Sequence, residues 1–216
     1  MSKGPETQPP GASFDRIALV GPRATGKSAV GRCLAELSGR AFLDLDECLA
    51  DRAGAAEADT AGELLERLGE ERFRDLEEEA LEAADQDARE RSAGIVLACG
   101  GGVLLREANR KRLAAPWTVV YLRTPALELR RRLEEESESA ARPPLLAGSA
   151  SAAAEIESIL EARESAYVSA SDFIVDCVLA DEKSVANRVH ELCPSPPRSS
   201  LDPPPENRSG ETSSGG

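Results

Sequence analysis

Short apolar runs alternate with longer amphipathic stretches along most of the chain. The runs Arg16–Val20, Ala41–Leu45, Ile95–Ala98, Thr118–Leu122 and Phe173–Val175 are apolar at nearly every position, the mark of strands buried on both faces. Between them, apolar residues recur at helical spacing over 27–38, 62–85, 104–114, 125–136, 151–169 and 182–192. Strands alternating with helices predict βαβ units and an α/β fold, a parallel sheet covered on both faces. Residues 137–150, SESAARPPLLAGSA, break the helical period; this small, polar, Pro-containing stretch predicts a mobile loop.

Both ends depart from this pattern. Residues 1–13 and 194–216 are poor in large apolar groups, and the second stretch holds six of the fourteen prolines. Such segments bury too little to offset the entropy of ordering, so both are predicted to be disordered tails around one domain, 14–193.

Charge and cysteine content narrow the function classes. The net charge is -13, and residues 14–193 hold 35 acidic against 23 basic residues. That surface argues against nucleic acid and anionic membranes as partners. The five cysteines are at least fifteen positions apart and show no metal-ligand spacing. They read as reduced thiols of a cytoplasmic protein. No apolar run is long enough for a membrane span, and the N-terminus lacks a signal peptide's hydrophobic segment.

The strongest chemical signal is GPRATGKS, residues 21–28, set between the apolar run IALV and a helical pattern. This is the strand–loop–helix context of a phosphate-binding loop. Gly21 and Gly26 allow a tight turn whose N–H groups wrap phosphates, and the helix behind it points its positive end at the same anion. Lys27 offers a point charge to the β- and γ-phosphates and Ser28 a hydroxyl to Mg²⁺; Ala24, Thr25 and Ala29 complete the expected nucleotide contacts. Asp59-Thr60-Ala61-Gly62 looks like a GTPase element, but it follows AAEA rather than a buried strand and reads as a loop with a helix start.

Candidate acceptor residues follow. Asp44 and Asp46 fall on one face at the end of the second predicted strand. Ligands bind at that edge of an open parallel sheet. One carboxylate can hold a Mg²⁺-bound water and the other accept from acceptor hydroxyls and take a proton; equally, Asp46 can cap a helix with Glu47 in its first turn. Arg74, in GEERFRDLEEEAL, can grip a carboxylate with two N–H groups or simply pair with Glu70 or Glu78. IVLACGGGV, 95–103, runs a buried strand into three glycines, which favours a loop facing a ligand. Arg142 sits in the predicted mobile loop, where closure can bring a cation onto the phosphates. Arg163, four residues before Tyr167, can pair with Glu164 or reach inward. Arg130, Arg131 and Arg132 read as a solvated helix end facing Glu134–Glu136, with no assigned role.

Taken in order, GPRATGKS, FLDLDE, GEERFR, the strand into GGG, RPPLLAG and RxxxY resemble the shikimate kinases from about Ile17 to about His190. The resemblance implies a three-layer α/β/α P-loop kinase fold with a five-stranded parallel sheet and a mobile lid. It implies ATP and Mg²⁺ as cofactors and transfer of the γ-phosphoryl group to the shikimate 3-hydroxyl. At matching positions, Asp46 would hold shikimate hydroxyls and act as base. Arg74, Arg163 and the Gly101 backbone would bind its carboxylate. Lys27 and Arg142 would stabilise the transferring phosphoryl group, Ser28 would ligate Mg²⁺, and Asp44 would reach the ion through water. A monomer is the expected state. The lid reads Arg-Pro-Pro-Leu-Leu where the family has RPLL, and Arg23 adds a charge to the nucleotide loop. A gluconate-type kinase and a non-catalytic nucleotide-binding homologue are the competing readings.

Overall fold

The computed structural model describes residues 14–54, 60–91, 93–139, 152–178 and 180–194. Arg142, most of the predicted loop 137–150, and both predicted tails apart from Pro194 lie outside these residues. Five strands, β1 (Arg16–Val20), β2 (Ala41–Asp44), β3 (Ile95–Ala98), β4 (Thr118–Arg123) and β5 (Phe173–Asp176), form one parallel sheet in the order β2-β3-β1-β4-β5. β1 is central, with Ile17 opposite Val96 of β3 on one side and Thr118 of β4 on the other.

The helices are α1 (Lys27–Ser38), α2 (Leu45–Arg52), α3 (Ala61–Leu68), α4 (Glu70–Glu90), α5 (Glu107–Ala114), α6 (Ala126–Ser139), α7 (Ala152–Ala170) and α8 (Glu182–Leu192). Alternation along β1 explains the three layers. Ile17 and Leu19 pack with Val30 and Leu34 of α1 and Val185 and Val189 of α8. Ala18 and Val20 pack on the other face with Leu49 of α2, Leu64 of α3 and Leu76 and Leu81 of α4. Each such large side chain contributes about 1.5–3 kcal/mol when fully buried. A third, smaller cluster joins Leu129 and Leu133 of α6 to Ile156 and Leu160 of α7.

The helix boundaries depart from the sequence pattern at identifiable residues. The single helix predicted over 62–85 is two, broken at Gly69, whose φ of 78° and ψ of 159° suit only glycine. Thr60 and Glu63 form a capping box that starts α3, as expected for a helix start rather than a GTPase element. α5 starts at Glu107 because Val103–Leu105 forms a 3₁₀ turn after the glycines. α6 runs to Ser139, three residues into the segment predicted as a loop.

α4 carries two acids on its buried stripe, Glu77 and Asp85. Asp85 is well satisfied: it accepts from Trp117 Nε1 at 3.0 Å and Arg89 Nη2 at 2.8 Å, with Arg16 at 3.5 Å. At the edge of the sheet where the strands begin, the buried Arg40 donates to the carbonyls of Phe14, Cys193 and Pro194, tying together both ends of the described chain. All five cysteines are free thiols, and no described helix is long and apolar enough to cross a membrane.

Candidate active site

At the opposite edge, β1 passes into the glycine-lysine loop and then α1. A methyl group on Gly21 would come 2.8 Å from the Leu122 carbonyl oxygen, so only glycine lets the loop run this close to β4. Ala24 and Gly26 both adopt the left-handed conformation, at φ 62° and 90°. Alternating hands in this way turns successive N–H groups toward one concavity, an anion nest. The first turn of α1 has no acidic residue and no described capping side chain, so its positive end stays available. Ser28 and Ala29 are exposed there. The Pro22 carbonyl accepts from Lys27 Nζ at 2.8 Å and from the Thr25 hydroxyl. Burial pushes the Lys27 ammonium below its usual range, opposed by the negative charge of Asp46 and Asp44.

The aspartate pair is arranged differently from the expectation. β2 ends at Asp44, and Leu45 already begins α2, a helix the sequence offered only as the alternative reading in which Asp46 is a cap. Asp44, not Asp46, is the helix cap: its Oδ1 accepts from the Asp46 N–H at 3.0 Å. The two acids therefore do not alternate along a strand. Asp46 is brought to the site by the first helical turn, within electrostatic reach of Lys27, Arg23 and Arg74. Solvent reaches Asp46 from the mouth of the cleft, yet the surrounding protein displaces enough water to push its carboxyl above the usual range, and Asp44 adds to the effect.

The facing wall comes from α4, the triple glycine and α7. Arg74 bonds to the buried Glu77, Nη1 to Oε2 at 3.0 Å, with Glu70 at 3.9 Å; Glu78 pairs instead with Arg106. Burial pushes the Glu77 carboxyl up, and Arg74 opposes that. The glycines fit the side chains around them. A methyl on Gly100 would lie 2.7 Å from Asp46 Oδ1 and 3.1 Å from Glu77 Oε1. A methyl on Gly102 would lie 2.7 Å from Arg74 Cζ and closer still to its Nη1. Gly101 packs on the nucleotide loop, where a methyl would be 3.4 Å from the Arg23 nitrogen. Its carbonyl accepts from Tyr167 Oη at 2.6 Å and Arg163 Nη1 at 3.4 Å, so Arg163 reaches inward. Tyr167 is held there by stacking on Tyr121, with ring centroids 5.1 Å apart.

The cleft thus brings together Gly21, Ala24, Thr25, Gly26, Lys27, Asp44, Asp46, Arg74, Gly101 and Arg163, with Ser28 and Ala29 at the mouth of α1. Arg142 lies outside the described residues. The sequence reading missed two contributors. Glu77 was hidden among the acids of α4; its place on the apolar stripe with Phe73, Leu76 and Ala80 is the signal that sets it apart. Arg132 is not part of a solvated helix end: half-buried, it points Nη1 at the Ala24 and Thr25 carbonyls, 3.4 Å from each.

The sequence model of the shikimate kinases matches residues 23–194. The chain belongs to the shikimate kinase family. Shikimate kinase 2 of Salmonella typhimurium is 34% identical over 182 residues, 84% of this chain and 94% of that protein. Among solved structures, the shikimate kinase of Acinetobacter baumannii in complex with shikimate superposes with a TM-score of 0.70 at 32% identity, covering 84% of this chain and 93% of that one. The shikimate kinase of Bacteroides thetaiotaomicron gives 0.68 at 28% identity, covering 82% and 97%. The expected fold, a five-stranded parallel sheet between helical layers, is the one observed.

Proposed function

We propose that this chain transfers the γ-phosphoryl group of ATP to the 3-hydroxyl of shikimate. The observation that carries the reading is the position of Asp46, between the Lys27 loop on one side and the Arg74–Glu77 pair on the other. In the reaction the acceptor oxygen forms a bond to the γ-phosphorus, the bond to the β,γ-bridging oxygen breaks, and the hydroxyl proton passes to the Asp46 carboxylate. Its raised proton affinity suits a base that must take a proton as charge moves away.

Lys27 holds the transferring group and the loop N–H groups hold the remaining phosphates, so catalysis is mostly positioning and charge. Arg74 and Arg163 are the acceptor's carboxylate grip, with the Gly101 backbone beside them. Arg142 belongs to the same reading, as the lid's cation. The donor set fits Mg²⁺, a hard ion that prefers oxygen. Ser28 offers a hydroxyl at the helix start, and Asp44 keeps one carboxylate oxygen beyond the one that caps α2. The ion would neutralise phosphate charge. A monomeric, cytoplasmic enzyme completes the proposal.

The test is ADP release measured with shikimate, gluconate and other hydroxy acids in turn. Turnover with shikimate alone is expected. Turnover with gluconate and not shikimate would overturn the acceptor assignment. Binding of both substrates without product on long incubation would mark a non-catalytic homologue.

A further inference from the structure

One residue of the nucleotide loop breaks a local rule. Ala24 adopts a left-handed backbone at φ 62°, and it is the only non-glycine among the described residues with a positive φ. A side chain there carries a strain that glycine would avoid. Its methyl, however, is not idle: it packs on the apolar cluster of Leu129 and Leu133 from α6 and Ile156 and Leu160 from α7. On the same loop, Arg132 of α6 points at the Ala24 and Thr25 carbonyls, and Glu128 fixes that guanidinium through its Nε at 2.9 Å. The crest of the loop is therefore gripped from outside by two helices, by an apolar contact and by a charged one.

Resting on the reading of residues 21–28 as the nucleotide loop, we propose that Ala24 is a positioning residue whose methyl anchors the loop to the α6–α7 pair and preforms the anion nest before nucleotide arrives. A left-handed residue at the crest turns its neighbours' N–H groups inward. Glycine would allow the same turn but also many others, so the empty loop would lose definition. The nest would then have to be ordered at each binding event, at a cost in affinity.

The experiment compares the full-length chain with Ala24→Gly and Ala24→Ser. ADP affinity and shikimate affinity are measured by calorimetry, thermal unfolding is followed, and hydrogen exchange of the loop amides is measured without nucleotide. In Ala24→Gly, ADP should bind about 3- to 10-fold more weakly, from the lost methyl contact and the added loop freedom. Shikimate affinity should hold, and loop amides should exchange faster. Tm should stay within about 3 °C, because relief of left-handed strain offsets the lost contact. Ala24→Ser, which keeps the β-carbon but sets a hydroxyl against the apolar cluster, should fall between the parent and Ala24→Gly in ADP affinity and in loop exchange. Unchanged or tighter ADP binding by Ala24→Gly, or slower loop exchange, would overturn the proposal while leaving the nucleotide loop intact. A parent chain that does not bind ADP would instead remove the loop's assignment, and this proposal with it. Equal losses for ADP and shikimate together with a large fall in Tm would show a merely structural alanine, and would also overturn it.

Discussion

Residues 21–28, the proposed nucleotide loop, come from one stretch of chain and offer mainly backbone N–H groups and one lysine. The proposed acceptor pocket beside it draws Asp46 from α2, Arg74 and Glu77 from α4, Gly100–Gly102 from the turn after β3, and Arg163 and Tyr167 from α7. The loop takes its shape from its own dihedrals and is held at its crest from one side only, by Arg132 and the α6–α7 cluster. The pocket is fixed by side chains that hold one another: Glu77 orients Arg74, the Gly101 carbonyl orients Arg163 and Tyr167, and Asp44 caps the turn that carries Asp46. A contiguous loop thus depends on few outside contacts, whereas an assembled pocket transmits any displacement to its partners.

The largest effect that separates the two regions should come from Lys27→Ala, which is expected to lower kcat by about 10³-fold, the scale of removing a group that stabilises developing charge. Calorimetry should show shikimate still bound, because the acceptor wall is untouched. Loss of shikimate binding as well would mean that the two regions are one unit.

Asp46→Asn is expected to lower kcat by about 10²-fold, the lower end of the range for removing a general base, with ADP affinity near the parent's. Because Asp46 is raised above its ordinary 3.8, the acid limb of kcat/KM should lie above that value. The stability sign follows from the same shift. A carboxyl that binds its proton more tightly in the folded chain favours folding most below its unfolded pKa, and this is lost as pH rises through the folded value. The Tm of Asp46→Asn relative to the parent should therefore climb as pH rises above the ordinary 3.8. A difference that stays flat as pH rises from that value would deny the shift.

Arg74→Lys should raise KM for shikimate about 10-fold or more with kcat less affected, since a point charge cannot replace a planar two-pronged grip. Steady-state kinetics with shikimate varied at saturating ATP would check it. The smallest effect should come from Gly102→Ala, a KM increase of about 3- to 10-fold, because the new methyl meets the Arg74 guanidinium and must move it while Glu77 holds it. Added to Arg74→Lys, it should cost much less than it does alone. Full additivity would show that Gly102 acts elsewhere.

Much of the fold was legible because it follows from local rules. All five strands were readable as apolar runs: β1, β3 and most of β4 are buried on both faces, and the edge strands β2 and β5, only partly buried, still keep apolar side chains at most positions. α2 was legible only as an alternative, with its cap two residues late: its eight residues start directly where β2 stops, and the apolar Leu45 serves both patterns. The split at Gly69 was present in the sequence as a lone glycine within a helical period, but only the backbone shows it as a break rather than a tolerated helix residue. Arg74 and Arg163 each had a solvated alternative on paper. The choice between them depended on Gly102 and Gly101, residues far away along the chain.

The amino-acid order by itself determined the layered α/β architecture, the nucleotide loop and the family, because each is written in short-range spacing that dihedral preferences and burial read directly. Tertiary structure alone decided which carboxylate caps and which faces the cleft, that Glu77 anchors Arg74, and that Arg132 and Ala24 bind the loop to α6 and α7. These are relations between segments brought together by packing, and spacing along a chain carries no record of what the fold will place across from it.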